Sequence, residues 1–194
     1  MLYVEIVEKF DTGDLVLFKD NTFLSSFIGL FTTPGYCHGG IIIKNPVIDS
    51  RMKKGLFMLH TTAFNKKKTK FKVELTDFKN VYDECYYQNM YWRKLHTIRD
   101  VDFYNRLFQA YSMISDNKHT SISIDWIQVL YKNNIKKHDI EYAWAVLCAY
   151  IYTSLGLLPL HTNWTCAIPD MFETHTPKEL HFSRSILEDE ILIK

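Results

Sequence analysis

The stretch Thr33-Pro34-Gly35-Tyr36-Cys37-His38-Gly39-Gly40-Ile41-Ile42-Ile43 decides how the rest of the chain is read. Pro34 and Gly35 punctuate a turn, since one fixes φ and the other tolerates conformations that bulkier residues avoid. Three successive isoleucines then make a β-branched run suited to a buried strand. His38 therefore falls where a loop feeds into a strand, beside Cys37 and two glycines without side-chain bulk. A lone histidine in such a place is more often a satisfied core residue than a catalytic one, so its role depends on what the remaining sequence brings to it.

Upstream, Phe10 to Asp14 is turn chemistry leading into Leu15-Val16-Leu17-Phe18, a short apolar strand. Between the two strands, Thr22–Phe31 (TFLSSFIGLF) carries Phe23, Phe27 and Leu30 at helical spacing and predicts a short helix. Downstream, Asn45 to Gly55 reads as a turn region and Gly55 to Thr61 as a strand with His60 near its end. Lys66-Lys67-Lys68 reads as a solvated turn before the alternating strand Phe71–Leu75, and Tyr86–Leu95 is a further strand. From Asp100 the texture turns helical, with Val101, Tyr104, Leu107, Phe108 and Tyr111 at three- and four-residue steps. Ile124–Tyr131 predicts a short helix between polar connections. Glu141–Leu158 is the strongest helical segment, stopped by Gly156 and Pro159. After Pro159 the chain reads as loops and turns. Strands precede helices and no repeat or linker interrupts them, which predicts a single α+β domain over residues 1–194.

A chain of 194 residues, 47% of them hydrophobic, can bury a core without disulfide or metal staples. A formal net charge of +1 with no basic stripe excludes an electrostatic case for nucleic acid. The cysteines at 37, 85, 148 and 166 are widely spaced with no CxxC pair, which predicts free thiols in a reducing compartment. A zinc site from Cys37, His38, His161 and Cys166 is a weaker alternative, since no ligand pair has helix or knuckle spacing. Acids occupy the first residues where a signal peptide needs basic ones, and no apolar run reaches the roughly 18 residues of a membrane span. The expectation is a cytoplasmic protein (host cytoplasm or virion if the source is viral), neither secreted nor membrane-spanning. Thr22–Phe31 is the segment suited to a peripheral membrane contact or an acyl-chain groove, although a helix closing the core explains it more simply.

Three residues suit one chemical site. His38 opens a strand, His60 lies near the end of the next, and Cys148 lies in a helical segment far downstream. Adjacent strands can set the two histidines side by side, and a helix packed on the sheet can present a thiol to them. An imidazole beside a thiol favours the thiolate, and a third polar group fixes the imidazole's orientation. A one-residue slip in strand register would put Thr61 in place of His60. Tyr142 to Leu147 already reads as helix, which sets Cys148 in mid-helix rather than at the positive helix end. Cys37 is expected to pack.

The segments GDLVLF (13–18), YCHGGIII (36–43), FMLHTT (57–62), KVELTDF (72–78) and CAYIYTSLGLL (148–158) occur in an order that resembles the circularly permuted papain-like hydrolases, relatives of the NlpC-type peptidases found in bacteria and large DNA viruses. The resemblance spans about Asp11 to Pro169. It implies an antiparallel sheet from the N-terminal half, packed against helices that include the one carrying the cysteine. It further implies Cys148 as nucleophile, His38 as general base and His60 as the orienting residue. The backbone N–H of Cys148 would hold the oxyanion. The implied reaction cleaves an amide or ester through a thioester, on a peptide, peptidoglycan or lipid-type acyl substrate, with no cofactor. Ala149 stands where the family usually has Ser, and Tyr150 where an acid is common. The other implied reading is an inactive permuted papain-like module with a structural or binding role, for instance in a viral particle.

Overall fold

The computed structural model describes residues 3–20, 36–46, 54–63, 71–84, 88–115 and 143–194. In chain order these form α1 (Tyr3–Lys9), β1 (Leu15–Asp20), β2 (His38–Lys44), β3 (Leu56–Ala63), β4 (Phe71–Asp77), α2 (Phe78–Glu84), β5 (Gln88–Arg93), β6 (Leu95–His96), α3 (Val101–Ser115), α4 (Ala143–Ser154), β7 (Ile186–Leu187) and β8 (Ile191–Leu192). Six strands make one antiparallel sheet in the order β4-β3-β2-β1-β5-β8, and β6 pairs with β7 in a separate ribbon. The α+β class is therefore as expected. The helix expected over Thr22–Phe31 and that over Ile124–Tyr131 lie outside the described residues, as does Cys85.

Side chains alternate between the faces of a strand, so the register sorts the core into two halves. Leu15, Leu17, Ile41, Ile43 and Leu59 enter one cluster, together with Leu107 of α3 and Trp144, Cys148 and Ile151 of α4. Val16, Phe18, Ile42 and Met58 enter the other, with Ile6 of α1 and Phe78 and Val81 of α2. The sheet is covered on both faces, which is why Leu15–Phe18 and Ile41–Ile43 are apolar without interruption. Helices α1 and α2 are absent from the reading of the sequence above. Each is only seven residues long and offers one or two buried apolar positions, too few to show a helical period. Helix α4 is the opposite case. Every residue from Ala143 to Tyr152 is buried, as befits a helix apolar all round its circumference.

Two buried charges fix this layout. Asp14, fully buried, accepts hydrogen bonds from the Trp92 indole (2.9 Å), the backbone N–H groups of Leu95 (3.0 Å) and Asp11 (3.1 Å), and Arg99 (3.4 Å). Burial nonetheless pushes its carboxyl above the ordinary value, against the pull of those bonds and of Arg99. Gly13 beside it has φ +99°, and a Cβ there would meet Leu95 at 2.7 Å, so the Gly-Asp pair at the start of β1 is accounted for by the fold. The Tyr152 hydroxyl donates to the Gly13 carbonyl at 2.9 Å and ties α4 to this corner. Arg93 is also buried. It donates to the carbonyls of Glu188 (2.6 Å), Phe172 (2.8 Å) and Leu187 (3.1 Å) and to the Glu179 carboxylate (2.9 Å), clamping the C-terminal segment to β5.

Candidate functional site

His38 is the first residue of β2 and lies opposite Phe18 of β1, with ring centroids 5.5 Å apart. On β3, His60 lies opposite Gly40, and the missing side chain at Gly40 is what lets the histidine close in. A Cβ on Gly40 would meet the Leu59 carbonyl at 2.7 Å and the His60 Cβ at 2.9 Å. In the space so opened, Nε2 of His38 and Nδ1 of His60 form a 3.0 Å hydrogen bond. The other nitrogen of His60, Nε2, bonds the Thr76 hydroxyl of β4 at 2.9 Å. The result is a three-strand chain, His38–His60–Thr76, on one face of the sheet.

Two proton arrangements satisfy this chain. If His60 donates through Nε2 to the hydroxyl oxygen, His38 must donate through Nε2 and Nδ1 of His38 is left as an acceptor. If the hydroxyl donates instead, every bond reverses and Nδ1 of His38 carries the proton. Both require neutral imidazoles. Burial pushes His38 down to about 3, assisted by the proximity of His60. Burial also pushes His60 down to about 4, opposed by the Glu74 carboxylate. Glu74 lies opposite His60 on β4 and takes a hydrogen bond from Thr62 (2.6 Å) and an ion pair from Lys72. Burial works to raise its carboxyl, but the Lys72 and Thr62 contacts outweigh it and leave it below the ordinary value.

Cys148 lies elsewhere. It is 0% exposed, inside α4, in the cluster containing Leu17, Ile41 and Leu59. Those strand residues carry odd numbers, whereas His38 and His60 share the face of Phe18, Ile42 and Met58. The sheet itself separates thiol and imidazoles. Among the described residues no hydrogen bond joins Cys148 to either histidine, and burial pushes its thiol strongly up, away from the thiolate. Trp144 of α4 packs on β2, where its ring would clash with a Cβ on Gly39 at 2.6 Å. The juxtaposition of Cys148 with His38 expected from the sequence is thus corrected. The helix packs on the sheet as expected, but on the face opposite the histidines. Cys148 is also the sixth residue of the helix Ala143–Ser154, past the first turn, so its amide belongs to the helix interior and is not an orphan donor for an oxyanion.

The register places His60, not Thr61, beside His38. Thr76 and Glu74 complete the surroundings of the histidines and were not singled out in the sequence. Their signal was the polar pair on alternate positions of Phe71-Lys72-Val73-Glu74-Leu75-Thr76. Cys37 and Cys166 are exposed, the former with its thiol 3.2 Å from the Phe18 carbonyl, the latter accepting from Asn163 at 3.2 Å. Among the described residues, no group of three or more His, Cys, Asp or Glu is placed to hold a metal ion, so the alternative zinc set is not assembled. Nor, among them, is any helix long and apolar enough to cross a membrane. No protein-family model matches the sequence, and no curated protein is significantly similar to it.

Proposed function

We propose that the chain is a permuted papain-like module with a binding or structural role, in which Cys148 serves the core and not catalysis. The observation that carries this reading is the placement of a fully buried thiol on the sheet face opposite both imidazoles. Thiol catalysis needs a thiolate within hydrogen-bond reach of its base, and here burial disfavours the anion and a sheet intervenes. The likeness to the papain-like family rests on the order of the five sequence segments, and the antiparallel sheet with a cysteine-bearing helix against it accords with that order.

The deciding experiment is iodoacetamide alkylation of the native protein across pH, read for each cysteine by peptide mass spectrometry. Cys37 and Cys166 are expected to react as ordinary exposed thiols. Cys148 is expected to stay unmodified until the protein is unfolded, in wild type and in His38→Ala alike. Fast labelling of Cys148 well below pH 8 that slows in His38→Ala would overturn the module.

A thiol hydrolase or acyltransferase acting on an amide or ester, with a peptide, peptidoglycan or lipid-type substrate, is the second reading. One observation favours it: the 3.0 Å His38–His60 contact, the pairing of base and orienting residue that the family likeness implies. It needs Cys148 to reach the face of the sheet where those histidines lie.

A further inference from the structure

The paired register between β2 and β3 runs from Lys44 opposite Leu56 to Gly40 opposite His60. His38 lies two residues past that end. It remains laddered to Phe18 of β1, and its tie to β3 is the imidazole–imidazole bond. The same chain continues through His60 to Thr76 on β4. Just past the end of the β2–β3 pairing, β2 is therefore fastened to β3, itself laddered to β4 on either side of His60, by side chains whose bonds survive no more than one added proton, since a doubly charged pair has no acceptor left between its rings.

We propose that the His38–His60–Thr76 chain is an acid-sensitive fastener that holds the entrance of β2 to β3 at neutral pH and releases it on acidification. Release opens the β2–β3 seam beside His60, while His38 stays laddered to Phe18 of β1, which is 1% exposed in the closed state. Among the described residues the charged group acting on His60 is Glu74 of β4, which Lys72 and Thr62 hold in place. His38 is acted on by His60 and faces the uncharged Phe18 ring of β1. Helix α2, packed beside β3, adds no charge acting on either ring. Glu74 opposes the effect of burial at His60 and, held below its ordinary value, stays ionised over the interval in which the open imidazoles take up protons.

Opening returns both imidazoles to water, where each takes up a proton near pH 6.5. Two protons taken up make the open-to-closed ratio rise by up to about 100-fold per pH unit. Amide hydrogen exchange in the Gly40–Ile42 and Met58–His60 segments, corrected for intrinsic rates and followed from pH 7 to pH 4, reads this ratio directly. The expected result is a slope approaching two decades per pH unit there, and none on the Leu17–Tyr91 side of the sheet. His60→Gln, with one histidine remaining, should halve the slope. Thr76→Val, which keeps both rings and removes the hydroxyl, should move the profile to higher pH, so the test survives a His60 variant that fails to fold. A flat profile in the wild type, or histidine C2–H resonances titrating near pH 6.5 with protection unchanged, would overturn the proposal. So would a Thr76→Val profile superimposable on the wild type.

Discussion

The two faces of the sheet are built from the same strands and behave differently. On the face toward α4 the contacts are mostly apolar, and the Cys148 thiol at the centre is buried without a hydrogen-bond partner among the described residues. On the other face, buried His60 joins the half-buried His38 and Thr76 in a chain of two imidazoles and a hydroxyl. A single step along β2 separates them: Gly39 meets Trp144, whereas Gly40 meets His60 and Met58. A residue's chemistry in such a sheet depends on its parity, and sequence spacing between distant segments does not reveal parity.

Truncating the aromatic anchor of each face should give the largest effects. Trp144→Ala is expected to cost about 3–5 kcal/mol, the range for deleting a buried aromatic ring, while leaving the two histidine titrations unchanged. Phe18→Ala should cost a similar amount but open the surroundings of His38, moving its titration up toward 6.5. Urea denaturation gives the stabilities, and histidine C2–H resonances followed against pH give the titrations. If Trp144→Ala shifted the histidines as much as Phe18→Ala does, the separation of the faces would be wrong.

A finer version uses the two glycines. Adding a methyl at Gly39 displaces the edge of the Trp144 ring, and adding one at Gly40 meets the Leu59 backbone carbonyl at 2.7 Å, which cannot swing aside. Gly39→Ala and Gly40→Ala should each cost about 1–3 kcal/mol, with Gly40→Ala the larger. Only Gly40→Ala should disturb the His38–His60 bond, seen as a change in the imidazole nitrogen shifts at neutral pH.

Acidity separates the faces without mutation. His38 and His60 titrate near 3 and 4 when folded and near 6.5 when unfolded, so the unfolded chain binds more protons between those limits. Their contribution is complete above pH 6.5 and is lost as pH falls toward the folded values. The slope reaches about 1.4 kcal/mol per pH unit for each imidazole. Glu74, held below its ordinary value of 4.5, loses its contribution only as pH falls past that point, which leaves the interval above it to the histidines. Global stability measured at pH 7, 6 and 5 should fall in the wild type and fall about half as steeply in His60→Gln. Equal slopes would show that the pair titrates normally.

What could be read in the sequence follows the same division. The strands β1 to β4 and the helices α3 and α4 were legible because each carries enough apolar residues to display its period or its run. The unbroken apolar character of Leu15–Phe18 and Ile41–Ile43 also held a signal for α1 and α2, since strands apolar on both faces need cover on both. His38 beside His60 was legible as two strand positions in neighbouring strands. Which face α4 would cover was not. All ten residues from Ala143 to Tyr152 are buried, so the helix has no polar stripe to indicate its orientation, and nothing in its own pattern says whether Cys148 looks toward odd or even strand positions. Thr76 was missed because a lone threonine in an alternating strand resembles any solvent-facing residue until a ring nitrogen is seen 2.9 Å away.

The smallest expected effect is the most pointed. Cys148→Ala removes one buried sulfur from the interior of α4 at a site lined by aliphatic and aromatic groups, and alanine is the strongest helix former. The small cavity and the gain in helix propensity oppose each other, so the net cost should be about 1 kcal/mol or less. Neither histidine should notice, because the sheet lies between. A thermal melt within a few degrees of wild type, with unchanged His38 and His60 resonances, is the outcome that a core thiol requires. A catalytic thiol held by His38 would behave otherwise, since removing it takes away the imidazole's partner and shifts the His38 resonance even where stability hardly changes.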